Sequence, residues 1–174
     1  MTEKIDQLDR MIVQLLQKDG RMPSSEIARQ IGSITERAVR NRIKRLIEKG
    51  IIKIYAEVNP KSLGYSVIAD INLEVEPSLV QEVAQKLAEF SCVAYVACSM
   101  GDKDVSIEVN ARSNEELYQF VTEIIAKLPG IKKTNTVIVP LKLKSIWHIP
   151  DSVEDDDRVC NEQRCLIDYD KKIQ

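Results

Sequence analysis

Apolar residues recur at helical spacing in two segments within the first fifty positions of this chain, with signals of a shorter helix between them. Leu8, Ile12, Leu15 and Leu16 mark one face of a first helix over residues 6–18. Asp19-Gly20-Arg21 breaks it, as a glycine just past a helix end does. A short second helix follows Pro23, with Ser24 and Ser25 as candidate caps and Gly32 as its stop. The third begins behind Thr35, a favourable N-cap, and places Val39, Ile43, Leu46 and Ile47 in one stripe at i, i+4, i+7 and i+8. Gly50 ends it. Three helices, the last two joined by a turn containing glycine, predict a helix-turn-helix.

The period then changes. Residues 51–58 (IIKIYAEV) read as a short strand, and Asn59-Pro60 with Gly64 as the connection behind it. Val67, Ala69, Ile71, Leu73 and Val75 alternate with Ile68, Asp70, Asn72, Glu74 and Glu76, the period of two of a half-buried strand. Pro77 is placed to open a helix striped by Val80, Val83, Leu87 and Phe90. Strands at 93–100 and 105–111 flank the tight connection Gly101-Asp102-Lys103-Asp104. Ser113 can cap a helix whose inner face is Leu117, Phe120, Val121, Ile124, Ile125 and Leu128, and Pro129-Gly130 stops it before a last strand at 136–144. The order β-α-β-β-α-β is the ferredoxin-like split unit, with both helices on one face of an antiparallel sheet. Its other face alternates enough apolar or small residues to tolerate a partner, so self-association through the sheet is expected.

The predicted fold class is therefore α+β. A winged-type helix-turn-helix occupies residues 1–50, a strand and hinge 51–65, and a ferredoxin-like domain suited to self-association 66–146. An acidic extension occupies 147–174. A length of 174 residues suits two small domains and a tail. No apolar run approaches the ~20 residues needed to cross a membrane. Met1 leads almost directly into an amphipathic helix rather than a secretory segment, so a cytoplasmic protein is expected.

The formal net charge of −2 argues against a nucleic-acid binder until its distribution is considered. Residues 1–58 hold 12 Lys/Arg against 8 Asp/Glu, residues 59–150 hold 9 against 11, and residues 151–174 hold 4 against 8. The positive charge gathers between Arg37 and Lys53. In the third helix Arg37, Asn41, Lys44 and Arg45 fall opposite the apolar stripe, with Arg40 and Arg42 at its borders. Arginine reads guanine and asparagine reads adenine through paired hydrogen bonds, while the other cations grip phosphate. These are the requirements of a major-groove recognition helix, for which the plain alternative is a solvated basic helix.

Specific matches extend this reading. The opening segment from Asp6-Gln7-Leu8-Asp9-Arg10 to Gly20-Arg21, the run Val39-Arg40-Asn41-Arg42-Ile43-Lys44-Arg45-Leu46, and the hinge residues Gly50-Ile51-Ile52 and Asn59-Pro60-Lys61-Ser62-Leu63-Gly64 are among them. Gly101-Asp102-Lys103-Asp104, Leu128-Pro129-Gly130-Ile131 and Thr136-Val137-Ile138-Val139 complete the set. Together, from residue 4 to about 146, they resemble the leucine-responsive regulatory protein family (Lrp/AsnC, or feast/famine regulators). The chain departs from the family pattern in a turn one residue longer before the third helix, in Lys103 where an aromatic is common, and in residues 147–174. The resemblance implies a transcriptional regulator that binds double-stranded DNA at repeated half-sites and pairs through its sheets. It also implies assembly into tetramers, octamers or larger forms, and in many members an amino-acid effector held near the Gly-Asp-x-Asp turn. DNA contacts are accordingly expected from Ser25, Arg37, Arg40, Asn41, Lys44 and Arg45, and effector contacts from Met100, Gly101, Asp102, Asp104 and Thr136.

Asp102 and Asp104 can pair with an effector ammonium while backbone N–H groups around Gly101 take its carboxylate. A solvated hairpin turn is the plain alternative, since Gly and Asp are ordinary turn residues. Cys160 and Cys165 beside Asp155, Asp156, Asp157 and His148 offer only a weak metal pattern, so no metal or cofactor is expected. Cys92 and Cys98 read as core residues. The acidic tail can be disordered, can dock through Trp147, Ile149, Val159, Leu166, Ile167 and Tyr169, or can screen the basic helix from DNA. An enzyme is the competing class, but one His and no nucleophile–base spacing or Gly-rich phosphate loop assemble no catalytic site. An architectural DNA-compacting protein without an effector is the third reading.

Overall fold

Asp6 opens the first helix through a reciprocal pair of hydrogen bonds. Its carboxylate accepts from the Asp9 amide at 2.8 Å, and the Asp9 carboxylate accepts from the Asp6 amide at 3.3 Å. This capping box satisfies two N–H groups that a helix start otherwise leaves unpaired. The computed structural model describes residues 5–143, which divide into two units between Ala56 and Glu57. The first holds α1 (Gln7–Lys18), α2 (Ser24–Ile31) and α3 (Glu36–Glu48). Ile12, Ile27 and Val39, one from each helix, are fully buried together, and Ile43 packs against them. That cluster is where the stripes of α1 and α3 meet Ile27 of α2.

Some details differ from the sequence expectation. Ser24 and Ser25 lie inside α2 rather than capping it, because Pro23 holds the cap position with its ring-fixed φ of −61°. Ile47 is exposed: it sits seven residues on from Arg40, on the flank of α3 beyond the apolar stripe. Residues 51–58 form no strand. No neighbouring strand within the described residues supplies the ladder hydrogen bonds that define one. Ile54, Tyr55 and Val58 are left exposed there.

The second unit is the expected split β-α-β-β-α-β. Its strands are β1 (Val67–Val75), β2 (Val93–Cys98), β3 (Val105–Ala111) and β4 (Ile131–Ile138), with α4 (Val80–Ala88) after β1 and α5 (Asn114–Gln119) after β3. All pairings are antiparallel, in the order β2-β3-β1-β4. The central strands β1 and β3 direct Ala69, Ile71, Leu73 and Val75 with Val105, Ile107, Val109 and Ala111 into one core, against Val83, Leu87, Leu117 and Ile125. Burying such side chains is worth roughly 1.5–3 kcal/mol each, so this face decides the register.

After α5 the chain widens into a π-helical turn over Phe120–Ile124 and tightens into a 3₁₀ turn over Ile125–Lys127. The last strand starts earlier than the alternation of 136–144 suggested and ends at Ile138. It begins directly after Gly130, which has φ +81° and whose carbonyl accepts from the Glu76 amide at 2.8 Å. A Cβ at Gly130 would stand 2.6 Å from Leu79 Cδ1, so the close approach as well as the backbone angle calls for glycine. The tail with His148, Asp155 to Asp157, Cys160 and Cys165 lies outside the described residues.

Candidate nucleic-acid interface and effector turn

Thr35 starts α3 by accepting a hydrogen bond from the Ala38 amide at 3.3 Å, and Glu36 in the first turn complements the helix dipole. Val39 and Leu46 are fully buried, which anchors the back of the helix. On the front stand Arg37, Asn41 and Lys44, all exposed. Arg37 and Asn41 make no side-chain hydrogen bond or ion pair among the described residues, so their donors are available to a ligand. Lys44 pairs loosely with Glu48 at 3.7 Å, and Arg40 pairs with Glu36 one turn back. Such exposed pairs contribute little and yield readily to phosphate. Ser25 is exposed in the first turn of α2, where helix-terminal N–H groups favour anions.

Arg45 does not join that front. Its guanidinium lies 2.5 Å from Asp9 Oδ2, and Arg42 lies 2.8 Å from Asp9 Oδ1 and 2.6 Å from Asp6 Oδ2. Asp9 is 1% exposed and is the buried charged residue of the described chain. Arg42 is held in its charged form by Asp9 first and Asp6 second, and the Asp9 amide and Arg42 hold the Asp6 carboxyl below the ordinary carboxylate range. The sequence reading missed Asp9. The available signal was a pair of acids three residues apart, Asp6 and Asp9, matched by a pair of arginines three apart, Arg42 and Arg45.

In the second unit the Gly101–Asp104 turn joins the ends of β2 and β3. Gly101 has φ +147°, a backbone region that favours glycine. Asp104 is tied to the neighbouring strand: its amide donates to Leu73 O at 2.9 Å and its Oδ2 accepts from the Val75 amide at 2.8 Å. Ser99 closes the other side, donating from its amide to Asp104 O and from its hydroxyl to Lys103 O, both at 2.9 Å. Met100, Gly101 and Asp102 are exposed at the tip. Thr136 is exposed on β4, opposite Ile71 and across β1 from the turn, so within one chain it is not beside Asp102. Cys98, expected in the core, is exposed because it ends the edge strand β2, whereas Cys92 is half-buried and its thiol is pushed up by burial.

The sheet face away from the helices carries Asp70 and Asn72 of β1, Tyr95 and Ala97 of β2, Ser106 and Glu108 of β3, and Asn135 and Val137 of β4. Among the described residues no helix or strand covers it: Tyr95 and Val137 are exposed, and Lys142 ion-pairs with Glu108 there. Among the described residues no helix is long and apolar enough to cross a membrane, and no His, Cys, Asp and Glu side chains cluster to hold a metal.

Residues 5–47 match the model of the AsnC-type helix-turn-helix domain, and residues 66–145 match that of the Lrp/AsnC ligand binding domain. The HTH-type transcriptional regulator LrpA of Pyrococcus horikoshii is 41% identical over 141 residues, covering 80% of this chain and 99% of that protein. LrpA of Pyrococcus abyssi is 39% identical over the same length, again covering 80% and 99%. Among solved structures, E. coli AsnC superposes with a TM-score of 0.76 at 26% identity, covering 83% of this chain and 98% of that one. A transcriptional regulator of Neisseria meningitidis, solved as a complex with L-Met, shares the fold with a TM-score of 0.77 at 20% identity, covering 84% and 97%. With a helix-turn-helix and a ligand-binding domain matched in order and at these identities, the chain belongs to the Lrp/AsnC family of transcriptional regulators.

Proposed function

We propose that this regulator reads double-stranded DNA with the front of α3, as a homodimer or larger assembly, and that an amino acid bound at the 100–104 turn modulates it. The observation that carries the DNA reading is the exposed Arg37 and Asn41, unpaired among the described residues, beside Lys44 on a helix anchored by buried Val39 and Leu46. Arg37 and Asn41 supply bidentate donors and acceptors for base edges. Arg40 and Lys44 supply phosphate contacts, and the first turn of α2 at Ser25 supplies a further anion site.

The uncovered sheet face supports pairing, because a two-fold partner brings two recognition helices to adjacent half-sites. The effector part rests on the match to a ligand-binding domain and on the L-Met complex of the Neisseria neighbour. Here Asp102 is the acid best placed to meet an ammonium group, since one oxygen of Asp104 is already engaged by Val75. Met100 would contact an apolar side chain, and Thr136 would contribute from a neighbouring chain rather than its own.

The test pairs two measurements on the full chain. Duplexes selected from a random pool should bind more tightly than the pool itself, and titration with the common amino acids should find at least one that binds and shifts operator affinity. Equal affinity for selected and random duplexes defeats the sequence-specific reading. If no amino acid binds below millimolar concentration, the sensor reading falls and DNA architecture remains.

A further inference from the structure

The structure divides the five cationic side chains of α3. Arg37 and Lys44 face outward with Asn41, and Arg40 stands beside them. Arg42 and Arg45, 25% and 45% exposed, turn back to one carboxylate, that of Asp9 in the first turn of α1. We propose that Asp9 is a positioning residue for DNA readout, which withdraws Arg42 and Arg45 from the DNA and sets the rotation of α3 that presents Arg37, Asn41 and Lys44. This rests on α3 being the recognition helix.

Two features of the geometry carry it. Arg42 and Arg45 are one helical turn apart, and each takes a different oxygen of Asp9, at 2.8 Å and 2.5 Å. A single pair would act as a pivot, whereas two attachments one turn apart resist both rotation and sliding of α3. Rotation matters because a turn of one residue, about 100°, replaces one side chain at the front with another. Arg45 is the side chain nearest that exchange on the Asn41 flank.

Charge is the second feature. Asp6, Asp9, Arg42 and Arg45 form a closed set of two acids and two bases. Asp6 donates its amide to Asp9 and receives Arg42, so the set also ties the start of α1 to α3. The inner side of α3 therefore adds no net charge to the field that DNA meets, and nonspecific attraction is left to the front. A carboxylate that merely glued helices together would affect all DNA binding alike. A positioning carboxylate restrains nonspecific binding while supporting specific binding.

The experiment measures binding of the full chain to a random duplex pool and to duplexes selected from it by the wild type, each across a salt series. Asp9→Asn should release Arg45, strengthen binding to the random pool, steepen its salt dependence by about one phosphate contact, and lower the specific-to-random ratio roughly tenfold. Arg45→Met should leave the salt slope unchanged but lower the specific-to-random ratio, because one attachment to Asp9 is lost, while Lys44→Ala makes the slope shallower by about one contact. Adding Arg45→Met to Asp9→Asn should remove the gain in slope.

If Arg45→Met flattens the slope as Lys44→Ala does, Arg45 is a phosphate contact and the inference is overturned. Proportionate weakening of both duplex classes in Asp9→Asn overturns it too, leaving a structural glue. Should Asp9→Asn fail to fold, the comparison of Arg45→Met with Lys44→Ala decides alone. A wild type that does not distinguish the two duplex classes removes the recognition reading, and this inference with it.

Discussion

The carboxylate of Asp104 accepts a hydrogen bond from the amide of Val75 at 2.8 Å, across 29 residues of chain. Val75 ends β1 where its pairing with β4 shifts register between Glu74 and Val75. A bulge leaves an amide without its ladder partner, and Asp104 supplies one. The acid of a turn that reads as a ligand motif is thus also part of the sheet.

The two turn acids should therefore separate on substitution. Asp104→Ala leaves a partly buried amide unpaired and should destabilise the second unit by about 1–3 kcal/mol, whether or not ligand is present. Asp102→Ala should leave the melting temperature unchanged and abolish the stabilisation given by the cognate amino acid. Thermal melts of the full chain with and without amino acids read both effects. Unaltered amino-acid stabilisation in Asp102→Ala removes Asp102 from the site.

On α3, Arg37→Ala and Asn41→Ala should each reduce discrimination between selected and random duplexes by about 1–3 kcal/mol. Arg40→Ala and Lys44→Ala should weaken both duplex classes alike and flatten the salt dependence. Competition binding at two salt concentrations separates the classes. An unchanged ratio in Asn41→Ala would show that Asn41 does not read a base.

Self-association can be probed at Tyr95, which is exposed on the uncovered sheet face and is not needed for the core. The full chain should sediment as a dimer or larger at micromolar concentration. Tyr95→Glu, opposite Glu108 on β3, should shift it toward monomer by burying like charges in the interface. A folded wild-type monomer at that concentration would defeat the assembly reading.

Acid should loosen the first unit. Asp6 is lowered by the Asp9 amide and Arg42, and Glu26 is lowered to about 2 by Arg29 and then Gln30. A depressed carboxyl contributes stability that is present above its unfolded value, about 4, and is lost as pH falls through its folded value. Helicity should fall between about pH 4 and 2, over and above any general acid effect. Asp6→Asn keeps the capping oxygen but not the charge, so it should melt lower at neutral pH and show a shallower fall. Parallel curves for Asp6→Asn and wild type would mean that Asp6 charge contributes nothing.

Much of this protein is written in periodicity. The stripes of α1 and α3 and the alternation of β1 and β3 located their elements because each element buries one face, and burial imposes a period of 3.6 or 2. Arg37, Asn41 and Lys44 were legible for the same reason: a helix with a buried back has a front. Local pattern carries no information about partners distant in sequence. It could not show that Arg45, one residue from Lys44, is bound to Asp9, 36 residues away, or that Asp104 serves Val75. It also suggested a strand at 51–58, where β-branched and aromatic residues are dense but no ladder partner lies within the described residues. Propensity belongs to a segment, whereas pairing belongs to two segments that the fold brings together, so which charges stay available and which extended chain becomes a strand are decided only in three dimensions.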